Sequence, residues 1–390
     1  MYYKTVNKTI LHRIAAFVLA AVIVLSLAAC GGSQPASPET SEGVLPGTNL
    51  KLESTMELEY ANQFAVEYYE GGYKLVKTEG CRDYLVVPEG AEVPSGISKS
   101  LTVLQQPLDN IYLAATASMA LFDSIDGLGS IKLSSLEADG WYVENAEKAM
   151  REGQMYFAGK YSEPDYETLL ECDCDLAIES TMILHNPSVQ EMIENLGIPV
   201  FIEYSSYEPH PLGRTEWVKL YGALLNKEEE AEAYFKTQSS IVEALDNFEN
   251  TGKKAAFFYM NASGGVVVYA SGGYVPRMIE IAGGKYAFDN VGEQGSRSSV
   301  NITMEEFYAS VVDADYIIYN SSIDSSIDSV ADLLAKSPLF KDFKAVQNDS
   351  VWCSGKQMYQ ATDKMGDLIN DLHIIITDSS EDTKIFYKLK

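Results

Sequence analysis

Short apolar runs separated by helix-period segments fill this chain from residue 101 onward, and that alternation constrains its fold more than any other feature. The runs fall at 101–105, 175–178, 199–202, 255–260, 266–269, 315–319 and 350–353. Apolar residues at three- and four-residue spacing separate most of them, for example over 111–122 and 189–196. Strands that alternate with helices predict parallel sheets covered by helices, because a parallel pair needs a crossover connection. Ahead of this region, residues 64–87 alternate between apolar and polar, with a turn at Glu70-Gly71-Gly72. That pattern predicts a β-hairpin and a following strand.

One helical segment is longer than the rest. Between Lys227 and Glu249, the residues Ala231, Tyr234, Phe235, Ile241, Val242, Leu245 and Phe248 repeat at helical spacing. Asn226 stands where an N-cap belongs, Glu228, Glu229 and Glu230 fill the first turn, and Thr251-Gly252 supplies a stop. At about 1.5 Å per residue this predicts a helix on the order of 35 Å long, enough to cross between two lobes. The strand–helix pattern restarts after it. Glu167 and Asp175 before the helix correspond to Glu305 and Asp315 after it, each pair opening a short helix and then a strand.

The N-terminus has a different texture. Lys4, Lys8 and Arg13 precede an apolar run over 14–29, shorter than the roughly twenty residues of a membrane span. The run ends Leu27-Ala28-Ala29-Cys30, and residues 31–50 mix Gly, Pro, Ser and acids. This resembles a bacterial lipobox followed by a tether, with Cys30 as the lipid-bearing first residue of the mature chain. The plainer reading is an ordinary signal peptide or an uncleaved anchor. The boundaries that follow are 1–29 signal peptide, 30–50 flexible tether, 51–225 first lobe, 226–252 linking helix and 253–390 second lobe.

Composition narrows the function. The net charge is −27, and the chain after Ala29 is three charges more negative, so it repels phosphate backbones and nucleic acid is not an expected partner. With 46% hydrophobic residues the body has material for real cores. Cys81, Cys172, Cys174 and Cys353 are too scattered for a disulfide framework, and Cys172-Asp173-Cys174 lacks the spacing of a zinc site. No phosphate-cradling glycine loop, His-Glu-x-x-His or Gly-x-Ser-x-Gly motif occurs. No resident cofactor or metal is expected, and the chain is not read as an enzyme.

Taken in order, several segments resemble the substrate-binding proteins of ABC importers, in the branch that carries siderophores, haem and cobalamin. They are Glu163-Pro164-Asp165-Tyr166-Glu167, Asp175-Leu176-Ala177-Ile178, Leu196-Gly197-Ile198-Pro199-Val200 and the linking helix. Met278-Ile279-Glu280-Ile281-Ala282-Gly283-Gly284, residues 302–318, Ala345-Val346-Gln347-Asn348-Asp349-Ser350-Val351-Trp352 and a closing helix near 364–376 complete the set. The resemblance spans roughly residues 60–378 and departs at Cys174 and over 130–160. It implies an α/β fold of two Rossmann-like lobes with mainly parallel sheets, joined by one long helix, with a ligand cleft between them. It also implies a lipid-anchored extracytoplasmic monomer that hands an iron-siderophore, a cobalamin-like corrinoid or haem to a permease driven by ATPase subunits. The alternatives are a metal-ion importer protein, and a cell-surface enzyme or adhesin on a similar scaffold.

Open parallel sheets bind ligands beyond the carboxyl ends of their strands. That nominates windows 106–112, 180–184 and 204–214 in the first lobe, and 259–261, 271–277, 320–322 and 352–359 in the second. Within them Tyr112, Tyr204, Tyr207, Tyr259, Tyr274 and Tyr359 are candidate cleft walls. The opposing reading is that 25 tyrosines fall near any site by chance. Arg214 and Arg277 are candidates to anchor an anionic group, or else ordinary surface charges. His210, between Pro209 and Pro211, is a haem or metal contact or simply a capping loop histidine. By the resemblance, Glu167 and Glu305 dock on the permease. Read alone, they are acids in helix first turns, where Glu306 is an equal candidate.

Overall fold

The computed structural model describes residues 43–78, 82–292 and 299–390. The leader, Cys30 and Cys81 lie outside the described residues. The tether expected to reach residue 50 stops earlier. Leu45 is fully buried with Tyr69, Leu75, Leu85 and Val87, and Val44 bridges Lys51, so the chain is already fastened there.

The first sheet has the order β1-β2-β3-β4-β5, made of Leu52–Thr55, Phe64–Tyr69, Tyr73–Thr78, Tyr84–Val87 and Thr102–Gln105. The expected hairpin is β2–β3, turning through Gly71 at φ 81°, a conformation glycine adopts without penalty. Val66, Val76 and Val86 point from this sheet into the main core, while Tyr69, Leu75 and Leu85 face Leu45.

The second sheet is parallel throughout, in the order β12-β11-β6-β7-β8. Its strands are β6 (Ile111–Leu113), β7 (Ile131–Ser134), β8 (Tyr156–Phe157), β11 (Leu176–Ser180) and β12 (Val200–Glu203). β9 (Gly159–Lys160) and β10 (Glu163–Pro164) form a separate antiparallel pair. The helices are α1 (Met119–Asp123), α2 (Glu144–Arg151), α3 (Tyr166–Glu171) and α4 (Pro187–Asn195). The helix expected over 111–122 is half right. Ile111–Leu113 is the middle strand of the sheet, and helix begins only at Met119. A short apolar run buried on both faces carries no periodicity that separates strand from helix.

Two helices, α5 (Pro211–Leu225) and α6 (Glu228–Glu243), lead to the third sheet. That sheet runs β16-β14-β13-β17-β18-β19, with β15 pairing β13. The strands are β13 (Lys254–Met260), β14 (Val266–Tyr269), β15 (Lys285–Tyr286), β16 (Ser299–Ile302), β17 (Tyr316–Tyr319), β18 (Val351–Ser354) and β19 (Phe386–Lys388). β13, β15, β17 and β18 are parallel, and β14, β16 and β19 run antiparallel at the margins. The helices here are α7 (Tyr274–Ile281), α8 (Met304–Val311), α9 (Val330–Lys336), α10 (Lys344–Gln347) and α11 (Met365–Thr377). The two strand-opening aspartates do the same work in each half. The Asp175 carboxylate accepts the Asp109 and Asn110 N–H groups at 2.8 and 3.0 Å, and Asp315 accepts the Lys254 N–H at 2.8 Å. Each ties the start of its strand to its neighbour.

The long helix expected over 226–252 is the shorter α6, set off from α5 by a break at Asn226. Asn226 is left-handed at φ 57° and ends α5, its N–H bonding the Gly222 carbonyl, so it is not the N-cap of α6. Its side chain and Lys74 Nζ meet at 2.8 Å, and Lys74 also donates to the Ala223 carbonyl and to Glu228. The helix that follows stops at Glu243, about 24 Å long. The following Asp246-Asn247 favours turns through side-chain competition for the backbone.

α5 is buried along its whole length up to Leu224. Its Glu216 carboxylate accepts the N–H groups of Glu59, Tyr60 and Ala61 at 2.7–2.8 Å, and Glu208 accepts those of Asn62 and Gln63. These bonds hold the segment before β2 across the helix. Gly222 lets α6 approach: a Cβ there would lie 2.7 Å from the Ala231 Cβ and 2.9 Å from the Lys227 oxygen. Gly222→Val should therefore destabilise the protein by about 1–3 kcal/mol, read as a lower denaturant midpoint. An unchanged midpoint would show that the two helices are free to part. His210 caps α5 through Nδ1, which accepts the Leu212 N–H at 3.2 Å, and its ring stacks on Tyr60 at 4.5 Å. Burial, with the charge of Arg277, pushes the imidazolium down to about 4. Between pH 6.5 and about 4 the unfolded chain takes up a proton that folded His210 refuses, so stability falls as pH drops through that window. NMR should show the His210 ring titrating near pH 4, and a midpoint near 6.5 would contradict its burial.

Candidate functional site

In the second sheet the chain leaves its parallel strands at Ala114, Ser135, Thr181 and Tyr204, and in the third at Asn261, Asn320 and Gly355. Large apolar side chains stand exposed just beyond these ends. Tyr142 follows β7, Met182 and Leu184 follow β11, Tyr207 follows β12, Ile323 follows β17 and Tyr359 follows β18, each more than a third exposed. The polar floor between them is unmet. Glu179 at the end of β11, Ser205 after β12, Arg214 in α5 and Thr362 after β18 all hold buried side-chain atoms with no hydrogen-bond partner. Nearly all buried polar groups in folded proteins are bonded, so each of these atoms is open to a partner, as are further ones on Thr78, Asp175 and Asp363.

Two elements bring the halves together there. Arg214 is 9% exposed, and its guanidinium carbon lies 4.1 Å from the centre of the Tyr274 ring, at the first residue of α7. Tyr274 packs edge-on against Tyr269 at 6.0 Å, and Asn320 donates to the Tyr269 hydroxyl at 2.8 Å. Glu203 ends β12 with its carboxyl accepting the Ser205 N–H at 2.8 Å, and burial pushes this acid up despite the nearby Arg214. The second element is Gln360, 1% exposed. Its side chain accepts the Tyr142 N–H at 2.7 Å and donates to the Gly140 carbonyl at 2.8 Å, clasping the loop after β7 to the loop after β18. Tyr142 and Tyr359 meet edge-on beside it at 6.3 Å. Below the clasp a cavity of about 710 Å³ opens, lined by Asp123, Trp141, Glu144, Asp363 and Lys384 among others.

The sequence-derived residues divide accordingly. Tyr204 and Tyr207 pack with tilted rings, centroids 5.6 Å apart, on the turn after β12, and Arg214 and Tyr274 meet across the crevice. Tyr259, half-buried at the end of β13, lies beside Tyr269. Arg277, exposed one turn along α7, pairs with Glu280 at 3.1 Å, and Tyr359 is exposed at the clasp. Tyr112 belongs elsewhere. It is fully buried among Leu133, Ala177 and Val200, and its hydroxyl donates to the Gly159 carbonyl, so it is a core residue and not a cleft wall. His210 is engaged in capping. Cys172, Cys174 and Cys353 are free thiols, and burial pushes Cys174 up to about 12. Among the described residues no three His, Cys, Asp or Glu side chains gather as a metal site. Ser205 falls inside the nominated window 204–214, whereas Glu179, Tyr142 and Gln360 were not legible as site residues. Gln360 lies one position past a nominated window, and Tyr142 sits in a stretch with no strand signal.

Glu167 and Glu305 occupy the same place in each half. Each is the second residue of its helix, behind the N-caps Asp165 and Thr303, and each is exposed. A helix that leads into a parallel strand starts near that strand's carboxyl end, so both stand at the crevice end of their sheets. Glu306 is engaged in a capping box with Thr303, which leaves Glu305 as the outward carboxylate.

Known proteins share this design. An uncharacterized lipoprotein of Methanocaldococcus jannaschii is 27% identical over 349 residues, covering 84% of this chain and 81% of its own. A periplasmic haem-binding protein from Pseudomonas aeruginosa superposes with a TM-score of 0.56 at 15% identity, covering 72% of this chain and 98% of that one. The periplasmic vitamin B12-binding protein of Vibrio cholerae superposes with a TM-score of 0.52 at 14% identity, covering 71% and 99%. The two solved structures share the fold of this chain. The profile of one family matches residues 127–357, more than half of the sequence. This chain belongs to the periplasmic binding protein family.

Proposed function

We propose that this protein is the solute-binding lipoprotein of an ABC importer, held to the membrane through Cys30, and that its cargo is a large, partly apolar chelate. An iron-siderophore or a cobalamin-like corrinoid is the first choice, with haem next. The observation that carries this reading is the set of exposed apolar side chains beyond the strand ends of both lobes, Met182, Leu184 and Tyr207 in the first and Ile323 and Tyr359 in the second. Scattered exposed apolar residues need no explanation, but a set gathered at one crevice fits a broad ligand face. The similarity to proteins named for haem and vitamin B12 supports the same choice, and the relative named a lipoprotein supports the anchor. On this reading capture and release are the task.

A protein lacking residues 1–42 should bind one of the three ligand classes with sub-micromolar affinity. At a hundredfold excess over Kd, binding stabilises the folded state by about 2.7 kcal/mol, enough to raise Tm by roughly 5 °C. A titration showing neither heat nor a melting shift with a ferric siderophore, a corrinoid and haemin would remove this cargo assignment.

Glu167 and Glu305 are the proposed contacts for the permease, one on each lobe. Charges of this kind set orientation and encounter rate more than cargo affinity. Reversing both to Lys should leave cargo titrations unchanged while lowering uptake through the permease at least tenfold. Full uptake by the doubly reversed protein would rule out docking through these residues.

A further inference from the structure

Arg214 is a cation in an unusual position. More than nine-tenths of the residue is buried, it makes no ion pair among the described residues, and its Nε has no hydrogen-bond partner. It lies against the face of Tyr274. Leaving a buried guanidinium N–H without a hydrogen bond is costly, so the position makes sense when an acceptor arrives from outside. Glu203 lies near enough to feel the charge, yet its carboxyl is bonded to the Ser205 N–H and burial favours its neutral form. It is therefore a poor counter-ion.

The surroundings favour an anion. Arg214 lies in the first turn of the fifteen-residue α5, and Tyr274 opens the eight-residue α7 of the other lobe, so two positive helix ends meet at this point. Arg277 is one turn beyond Tyr274 on the same side of α7 and close enough to His210, the cap of α5, to depress its basicity. This concentration of positive charge stands in a chain whose net charge is −27. We infer that the crevice holds an anionic group of its ligand, a carboxylate or phosphate, between Arg214 of one lobe and Arg277 of the other. The inference rests on the cleft being the cargo site and narrows the cargo to an apolar molecule with an acidic edge. Arg214 supplies a preformed fork with a desolvated Nε, whereas Arg277 exchanges its exposed partner Glu280 for the ligand.

Two probes separate this from the cargo assignment. Inorganic phosphate, titrated into the protein with its arginines labelled with nitrogen-15, should shift the Arg214 Nε–H signal saturably, whereas chloride at equal ionic strength should not. Arg277→Gln, a surface change that leaves the fold alone, should weaken the phosphate response about tenfold. Haemin should bind at least tenfold more tightly than its dimethyl ester, and Arg214→Gln should erase that preference. A linear phosphate response equal to that of chloride would overturn the clamp, as would equal affinity for the acid and the ester. If haemin does not bind at all, the haem option falls, and the phosphate titration still decides the clamp.

Discussion

Everything in the described structure is arranged around one buried helix. α5 presents Glu216 to three consecutive backbone N–H groups of the segment before β2, and its C-terminal carbonyls at Ala223 and Leu224 accept from Lys74 and Gln106. The first sheet is thus fastened to both ends of the helix. Its Thr215 hydroxyl donates to the Thr362 carbonyl of the second half at 2.8 Å, and its first turn carries Arg214. A buried carboxylate that accepts several N–H groups is stabilising only while all of them stay in place. The position of α5 is therefore set by polar contacts, and the surrounding apolar core, which runs from Phe64 to Leu389, fills in around it.

The two halves repeat a small plan with different trimmings. Asp175 and Asp315 brace strand starts, Asp165 and Thr303 cap the helices before them, and Glu167 and Glu305 project from equal positions. The second half adds antiparallel margins at β14, β16 and β19, which close the edges of its sheet.

Much of this was legible in the residues. Strands such as Ala255 to Met260 and Tyr316 to Tyr319 are short, apolar and bounded by turn residues, and they fall where expected within a residue. The misreadings share a cause. Asn226 is equally suited to start one helix or to end another, and only the left-handed backbone that Lys74 and Gln106 surround decides between them. Tyr112 lies inside a nominated window, but its side chain points to the core face of a strand taken for a helix. The site was only partly visible for the same reason. Arg214 and Tyr274 are 60 positions apart and meet through packing of α5 on α7, while Gln360 acts through backbone groups that no sequence pattern announces.

Gln360 also determines how the crevice can move. Among the contacts between the halves, the Gln360 clasp lies beyond β18 and the Arg214–Tyr274 stack beyond β14. The clasp is directional, since parting it breaks two bonds at a side chain with almost no access to water. A cation over a ring tolerates sliding, because its attraction varies smoothly with offset. Parting the loops after β7 and β18 therefore costs two hydrogen bonds at a buried side chain, whereas parting Arg214 from Tyr274 breaks no hydrogen bond, so the two contacts resist separation unequally.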